Sequence, residues 1–584
     1  MKESRIGVYI CWCGTNIAKM VDVEKVAEEI GKLEHVIVSR NYKYMCSDPG
    51  QELIVKDIKE HELDRVVVAA CSPRIHELTF RKALENAGLN QYLFEMANIR
   101  EHVSWVHSDK ELATSKAADL VRAALKRVSY HEPLDKLSVD IDPATLIIGG
   151  GVAGMSAALR IAEAGKKVYL VEKEENLGGQ AALIDLSFPY LNPVASFLQP
   201  LIEKLSHHKD VEVLCSATIS DIKGYVGNFE TEVSMNGSKK SLRFGHIIVA
   251  TGLRAYDPTP MENYGYGRLK NVITSSEFEE VLHSGKIVTD DGQTPKNIAI
   301  IHCVGSRNND YHAYCSRNCC ATALKYANQL RSALPEAGIF ELYADMRAFG
   351  KGCEELYAKT SEKDIMFLMF DPKRDLPEIK EAGKKDKCKM IISMKEQLSG
   401  EQIEVPADMV ILMTAVEARE EAREVAHAAG ISMCGNDFYI EKHPKLDPVA
   451  TTTDGVFIVG ACQGPKDIPE SISQAWAASA RVLAGICRGS VAVEMTTAVV
   501  NEEICCGCQT CVSVCPYTAI TFDKEKNVSV VNEILCKGCG TCGSTCPTGA
   551  IRSRHFTDTQ ILSQIEGMLN EGKIKETEKI MEEL

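Results

Sequence analysis

Two matching cysteine blocks stand near the C-terminal end of the sequence: Cys505-x2-Cys508-x2-Cys511-x3-Cys515, followed by Pro516, and Cys536-x2-Cys539-x2-Cys542-x3-Cys546, followed by Pro547. Thiolates at this spacing hold 4Fe–4S cubanes, the fourth cysteine of each block crossing to the other cluster. One cluster is therefore expected on Cys505, Cys508, Cys511 and Cys546, the other on Cys536, Cys539, Cys542 and Cys515. Disulfides or zinc are the alternatives, and two complete blocks, each closed by proline, speak against both. The chemistry is the passage of single electrons.

A second chemistry begins with an apolar strand, TLII, that runs into Gly149-x-Gly151-x-x-Gly154, then a helical stretch, MSAALRIAEAG, then a strand, KVYLVEK, reaching Glu172 and Lys173. The glycines permit a tight turn and close approach of a pyrophosphate, the helix start supplies amide donors, and Glu172 can accept from ribose hydroxyls. A dinucleotide site follows. Farther along come LGGQAAL, with Gly179 and Gln180, HIIVATG, ending at Thr251 and Gly252, and TTTDGVFIVGACQGPKDIPES, with Gly460 and Asp467. This layout resembles the two-dinucleotide-domain flavoprotein disulfide reductases, which implies FAD, with the late segment lying over the flavin. Where that superfamily has Gly-Asp, this chain has Gly460-Ala461-Cys462, leaving Asp467 as the candidate ribityl contact.

A second dinucleotide-type domain begins at NIAIIHCVG, where a pyridine-nucleotide enzyme would show another glycine fingerprint. The turn instead reads CVGSRNNDYHAYCSRNCCATALKYANQL, with Cys303, Cys315, Cys319 and Cys320 spaced C-x11-C-x3-C-C. Four soft ligands at a strand end suit a further, noncanonical iron–sulfur cluster. Structural zinc and a redox-active disulfide are the alternatives; no C-x-x-C occurs here, and adjacent Cys319 and Cys320 would form a strained bridge. NAD(P)H is then not expected as a direct substrate, and electrons reach the flavin from protein partners. Lys325, on the helix this loop opens, is the candidate catalytic cation near the flavin, where it would favour the anionic reduced form; a solvent-facing helix lysine is the plainer alternative. Asp345, Arg347 and Lys351, in DMRAFGKG, are assigned either to the flavin or to a docking face.

Cys11, Cys13, Cys46 and Cys71 form a fourth set, with Cys11 and Cys71 each ending a predicted strand and so sharing one sheet edge. Their spacing matches no known motif, so a fourth cluster, zinc, and buried or docking-site thiols all stand as readings. Cys215, Cys353, Cys388, Cys434, Cys487 and Cys506 read as solitary.

These groups need elements to position them. In residues 1–135, RIGVYI, HVIVS and RVVVAA alternate with helical patterns such as VDVEKVAEEIGKL, which implies a small parallel α/β domain. The proline-bearing stretch HEPLDKLSVDID marks its boundary. The expected plan is α/β throughout: an FAD domain over 142–296 and 405–490, a degenerate second dinucleotide domain over 297–404, a two-cluster ferredoxin domain over 491–556 and a helical tail over 557–584. That tail is read as a helix packed on this chain or a partner, or simply solvated. At 584 residues several domains are required. The net charge of −15 argues against nucleic acid or anionic membrane as main partner. The start, MKESRIGVYICWCG, lacks a signal-like apolar run and no long uncharged apolar stretch follows, so the expectation is a cytoplasmic protein whose 23 cysteines are reduced thiols and metal ligands, in keeping with an anaerobic cell.

Taken together, CWCGTNIAKMVDVEKV, YMCSDPGQ, VVVAACSPRIHE, CVGSRN, YCSRNCC, DMRAFGKGCEE, ACQGPKDIPES and the paired blocks closely resemble the HdrA-type flavin and iron–sulfur subunit of heterodisulfide reductase, over essentially the whole chain. The resemblance implies flavin-based electron bifurcation in methanogenesis-type complexes. A two-electron donor reduces FAD, one electron goes to ferredoxin and one to a higher-potential disulfide acceptor on a different polypeptide. The implied partners are ferredoxin, terminal reductase subunits and a hydrogenase- or formate-linked donor subunit, with the chain as a homodimer inside the complex. Some members carry a further ferredoxin domain within the flavin domain, whereas here only Cys215 falls between residues 190 and 297. The alternatives are a quinone-interacting or aromatic-ring-reducing paralogue, a relay that does not bifurcate, and an NADPH-dependent glutamate synthase-like reductase, which the missing second fingerprint disfavours.

Overall fold

The computed structural model describes residues 4–569 except Lys136, Asn236 and Lys384; of the tail expected to be helical, 570–584 lies outside the described residues. The apolar run Ile6–Cys11 is buried at every position, as a central parallel strand covered on both faces must be. Its sheet runs Val36–Tyr42, Ile6–Cys11, Arg65–Ala70, Phe94–Asn98, all parallel. Helices Val23–Ile30 and Lys110–Val128 contribute to the apolar layer on one side, helices Asp48–Glu60 and Pro73–Ala87 to the layer on the other.

Residues Met1–Leu137 and Ala492–Leu584 form one compact unit, where the sequence suggests separate domains. Long-range pairs invisible in sequence join them: Arg81 with Glu494 at 2.8 Å, and His131 stacked on His555 at 4.3 Å. The ferredoxin lobe shows its internal repeat in the strand pairs Ala498–Val500 with Ile551–Ser553 and Ile520–Asp523 with Val528–Val531, and in the short helices Thr510–Val514 and Thr541–Thr545. The described part of the tail, helix Asp558–Met568, packs on this chain. Gln560 Nε2 donates to Tyr130 O at 2.9 Å, and a Cβ on Gly567 would lie 2.7 Å from Ala123 Cα.

Ser138–Val491 is the other unit, and it repeats one plan twice. The first parallel sheet runs Val211–Leu214, Val168–Val171, Thr145–Ile148, His246–Val249, Val456–Ile458, and the chain inserts an antiparallel meander, Ala217–Tyr225, Asn228–Met235 and Ser238–Phe244. The second runs Val272–Thr274, Met409–Thr414, Asn297–Val304, Gly338–Tyr343, Ile365–Met369, with its own meander, Glu378–Glu381, Met390–Lys395 and Gln402–Ala407. The second domain is therefore wider than the expected 297–404, because Val272–Thr274 and Met409–Thr414 pair into its sheet. No helix among the described residues is long and apolar enough to cross a membrane.

Candidate functional site

At the end of strand Thr145–Ile148 the chain turns through Gly149 at φ +108°, and a Cβ there would lie 2.4 Å from Ala250 O. Helix Val152–Glu163 then opens at Gly151. Beside this turn is a cavity of about 1620 Å³, larger than the roughly 300–1,000 Å³ of common ligand pockets and so suited to an extended dinucleotide. Gly149, Gly151, Glu172, Lys173, Gly179 and Gln180 line it, as do Thr251, Gly252, Asp467 and Lys325. Gly154 and Gly460 instead stand behind the wall: a Cβ on Gly154 would sit 1.9 Å from Gly149 O, and one on Gly460 2.9 Å from the Ala153 side chain. These glycines let backbone approach backbone, so the cradle fits a pyrophosphate lying against main-chain amides.

The polar groups of the wall are already oriented. Glu172 accepts from Gly150 N at 2.5 Å and from Glu174 N at 2.9 Å, which leaves further lone pairs for a ribose. Lys173 pairs with Glu421 at 2.8 Å. Asp467 caps helix Ile468–Arg488, accepting from Glu470 N at 2.7 Å, and burial raises its pKa. Lys325 is not the solvent-facing lysine of the plainer alternative, since its side chain is 1% exposed and its ammonium is bonded to Glu279. Burial lowers the Lys325 pKa and Glu279 opposes that shift. Tyr326 OH also donates to Glu279, at 2.8 Å. Asp345, Arg347 and Lys351 are not among the residues lining the cavity; Asp345 binds Arg307 and, at 3.3 Å, Arg347. Sequence reasoning missed Glu279, which carries no signal beyond its helix pattern, and Lys466, which stands one residue before Asp467.

Cys303 falls at the end of strand Asn297–Val304 with φ +59°, and Cys319 and Cys320 open helix Cys319–Ala333. Burial pushes the Cys303 thiol up to about 12, with Cys320 and Cys315 adding to the effect. Cys319 donates to Cys320, holding Cys320 low and Cys319 high. Beneath them lies a fully buried pair, His302 Nε2 with Glu341 Oε2 at 3.0 Å. Burial opposes charge on His302, but Cys320 and Glu341 more than reverse it and move its pKa up to about 9. The Cys320 sulfur is the partner that most favours the charged ring, so the imidazole already faces the thiols of the quartet.

This quartet and the flavin cavity share a wall. Arg317 N donates to Cys315 Sγ at 3.3 Å, while its guanidinium donates to Pro465 O at 3.1 Å and to Glu470 at 2.6 Å. Asn318 Nδ2 donates to Lys466 O at 2.8 Å. The loop between Cys315 and Cys319 thus clamps the segment that leads into helix Ile468–Arg488.

In the other unit, Cys11 ends its strand, Cys13 turns with φ +48°, and the two join through Cys13 N donating to Cys11 Sγ at 3.3 Å. Arg100 Nη1 donates to Cys13 Sγ at 3.3 Å. Burial raises the thiol pKa values of Cys11, Cys46 and Cys71, the last to about 11, and each also feels Cys13. The four thiols therefore meet at one sheet edge. In the ferredoxin lobe, one cavity is lined by Cys505, Cys508, Cys511 and Cys546 together with Cys506, which breaks the ligand spacing. A second is lined by Cys515, Cys536, Cys539 and Cys542. Amide N–H groups already aim at sulfur there, Ala498 at Cys536 over 3.4 Å and Ala519 at Cys515 over 3.3 Å.

Thiolates on one zinc ion at 2.3 Å stand about 3.8 Å apart. Among the described residues no three cysteine sulfurs lie within 4.8 Å of one another; the group that does is Asp57, Glu60 and His61, where Asp57 is taken by Arg40 and Tyr9. The open spacing of the quartets suits a body wider than a single ion.

Residues 143–310 match the family of pyridine nucleotide-disulphide oxidoreductases, and residues 504–551 match the 4Fe-4S dicluster domain. The chain is thus an α/β oxidoreductase with a flavin-type redox domain and 4Fe–4S sites. An A-type iron-sulfur subunit of the CoB–CoM heterodisulfide reductase of Methanopyrus kandleri is 42% identical over 655 aligned positions, covering 97% of this chain and 99% of that protein. The A-type subunit of the H2:CoB-CoM heterodisulfide,ferredoxin reductase of Methanothermobacter marburgensis is 40% identical, covering 98% and 99%. An alignment of 655 positions exceeds the 584 residues here, so the first relative holds segments with no counterpart in this chain. Among solved structures, thioredoxin reductase of T. acidophilum aligns at 14% identity and a TM-score of 0.41 over 59% of this chain and 100% of its own, too distant to add to the sheet order.

Proposed function

The chain belongs to the family of HdrA-type subunits of heterodisulfide reductase, and from that premise we propose that it is the electron-distributing subunit of a heterodisulfide reductase-like complex. It takes electron pairs from a donor subunit, then sends them on singly, to ferredoxin and to a disulfide-reducing or other terminal subunit. FAD in the cavity would supply the exchange between two-electron and one-electron transfer. Glu172 would hold the adenosine ribose, the turn at Gly149 and Gly151 the pyrophosphate, and Gly179, Gln180, Thr251, Gly252 and Asp467 the remainder. Cys303, Cys315, Cys319 and Cys320 would carry a cluster, as would the two ferredoxin sets, and Cys11, Cys13, Cys46 and Cys71 a fourth. Lys325, with Glu279, would hold a proton at the cavity wall. The protein is read as cytoplasmic and as a homodimer within its complex.

The observation that carries this reading is the Arg317–Asn318 clamp, which makes the cysteine quartet and the flavin cavity neighbours through one loop. Potentiometric titration of the purified complex tests it. Splitting of electron pairs requires the two one-electron flavin potentials to be crossed, and potentials in normal order would sink it. A relay without splitting is the second reading, favoured by the shorter chain relative to the aligned protein from Methanopyrus kandleri. Failure of NAD(P)H to bleach the flavin is expected under both.

A further inference from the structure

Two lysines with changed surroundings line the flavin cavity, and they differ in one respect. Lys325 is bonded to Glu279, so its charge is compensated where it stands. Lys466 is half-buried on the same cavity wall, and among the described residues no carboxylate lies within ion-pair distance of its ammonium. Burial disfavours that charge and Arg317 adds to the cost, while Cys462, Glu470 and Glu441 act on it only from a distance. Its backbone has little freedom: Asn318 holds the Lys466 carbonyl, Arg317 holds the Pro465 carbonyl, and Asp467 begins the cap of the next helix. A half-buried cation pinned in place without a counter-ion is costly unless the site's occupant carries the negative charge.

Resting on the reading of the cavity as an FAD site, we propose that Lys466 is the charge-stabilising residue for the reduced flavin, the cation against which negative charge on the ring develops. The pyrophosphate is the other anion it could meet. That part of the dinucleotide is already provided for by the turn at Gly149 and Gly151, whereas Lys466 is tied through Arg317 and Asn318 to the loop of the cysteine quartet. A cation close to the reduced ring raises the two-electron potential of the flavin, and one close to the pyrophosphate changes affinity alone.

The test uses the full-length holoprotein with Lys466→Met and Lys466→Arg. For each we would measure FAD content, FAD affinity after reconstitution and the two-electron flavin potential against reference dyes. Lys466→Met is expected to lower the reduction equilibrium at least tenfold, about 30 mV for two electrons, with Lys466→Arg close to wild type. If Lys466→Met loses FAD while Lys466→Arg keeps it, the charge serves binding of the oxidised cofactor, which is the pyrophosphate placement, and the proposal falls. Loss of FAD from both variants would overturn the proposal, because packing rather than charge would then be at stake. So would weaker FAD binding at an unchanged potential, which puts the charge at the pyrophosphate. A wild-type protein that neither contains nor takes up FAD sinks the reading of the cavity itself, and Lys466 with it.

Discussion

The ferredoxin lobe and the flavin unit both gather cysteines in fours, yet their interiors are built differently. The connected apolar core of the lobe is Ala498, Cys511, Ile520, Cys542 and Ile551, with Ala519, Val528 and Ala550 also buried, so two of its five members are proposed cluster ligands. The two largest apolar cores of the flavin unit, on the faces of its first sheet, contain no quartet cysteine, and Cys319 and Cys320 lie in a core of its second sheet among many more aliphatic and aromatic residues. A lobe of this size with so few apolar residues inside cannot offset its chain entropy alone; metal binding there is folding free energy. The flavin unit, in contrast, stands on ordinary burial of aliphatic strands.

The strongest way to break this contrast is to remove the lobe's buried thiols. Replacing Cys511 and Cys542 together with alanine is expected to release about eight iron atoms per chain and to open the lobe to limited proteolysis. The flavin unit should keep its melting transition. A lobe that stays protease-resistant without iron would show that its core suffices after all.

The N-terminal quartet should side with the flavin unit in this respect, because its sheet is covered by apolar layers of its own. Cys13→Ser is expected to lower iron from about 16 to about 12 atoms per chain while circular dichroism and the melting profile hold. An unchanged iron count would reduce the Arg100 bond to Cys13 to a purely structural contact.

How much of this is legible in sequence follows the same division. The lobe's cysteines are local: a spacing of two residues puts the thiols of Cys505, Cys508 and Cys511 around one cavity, and the crossing of Cys546 is implied by the repeat. The glycine cradle is equally plain, since strand, turn and helix are contiguous from Thr145 to Glu163. What sequence does not carry is pairing between distant segments. Val272–Thr274 and Met409–Thr414 join one sheet across more than a hundred residues, so the expected limits of 297 and 404 are too narrow. Glu279 becomes the partner of Lys325 only through helix packing, and no spacing rule anticipates it. Cys506 breaks the ligand spacing yet lines the same cavity, next to Cys505 in the chain.

Within the flavin unit, the contrast sharpens at the Lys325–Glu279 pair. Lys325→Met leaves Glu279 without its partner among residues that are nearly all buried, and breaking one side of such a pair costs about 3–5 kcal/mol. The denaturation midpoint of the flavin unit should fall accordingly. Lys325→Met with Glu279→Leu should recover most of the loss, whereas a double variant no better than the single would mean that Glu279 is needed for Tyr326 rather than for charge balance.

A smaller effect in the flavin unit follows pH. His246 opens strand His246–Val249, is 3% exposed, and has a buried Nδ1 with no partner. Burial moves its pKa down to about 4, against about 6.5 in an unfolded chain. The folded state therefore prefers the neutral ring. Its contribution is complete above pH 6.5 and is lost as pH falls from there toward 4. Linkage gives a loss of about 2 kcal/mol between pH 7 and pH 5, read as a lower urea midpoint for the flavin unit. His246→Leu should remove that slope, and a slope that survives the substitution would place the acid sensitivity elsewhere. Because the quartet cysteines are absent from the two apolar cores that flank this strand, the loss should appear whether or not iron is present, which is the behaviour expected of a unit held by burial rather than by metal.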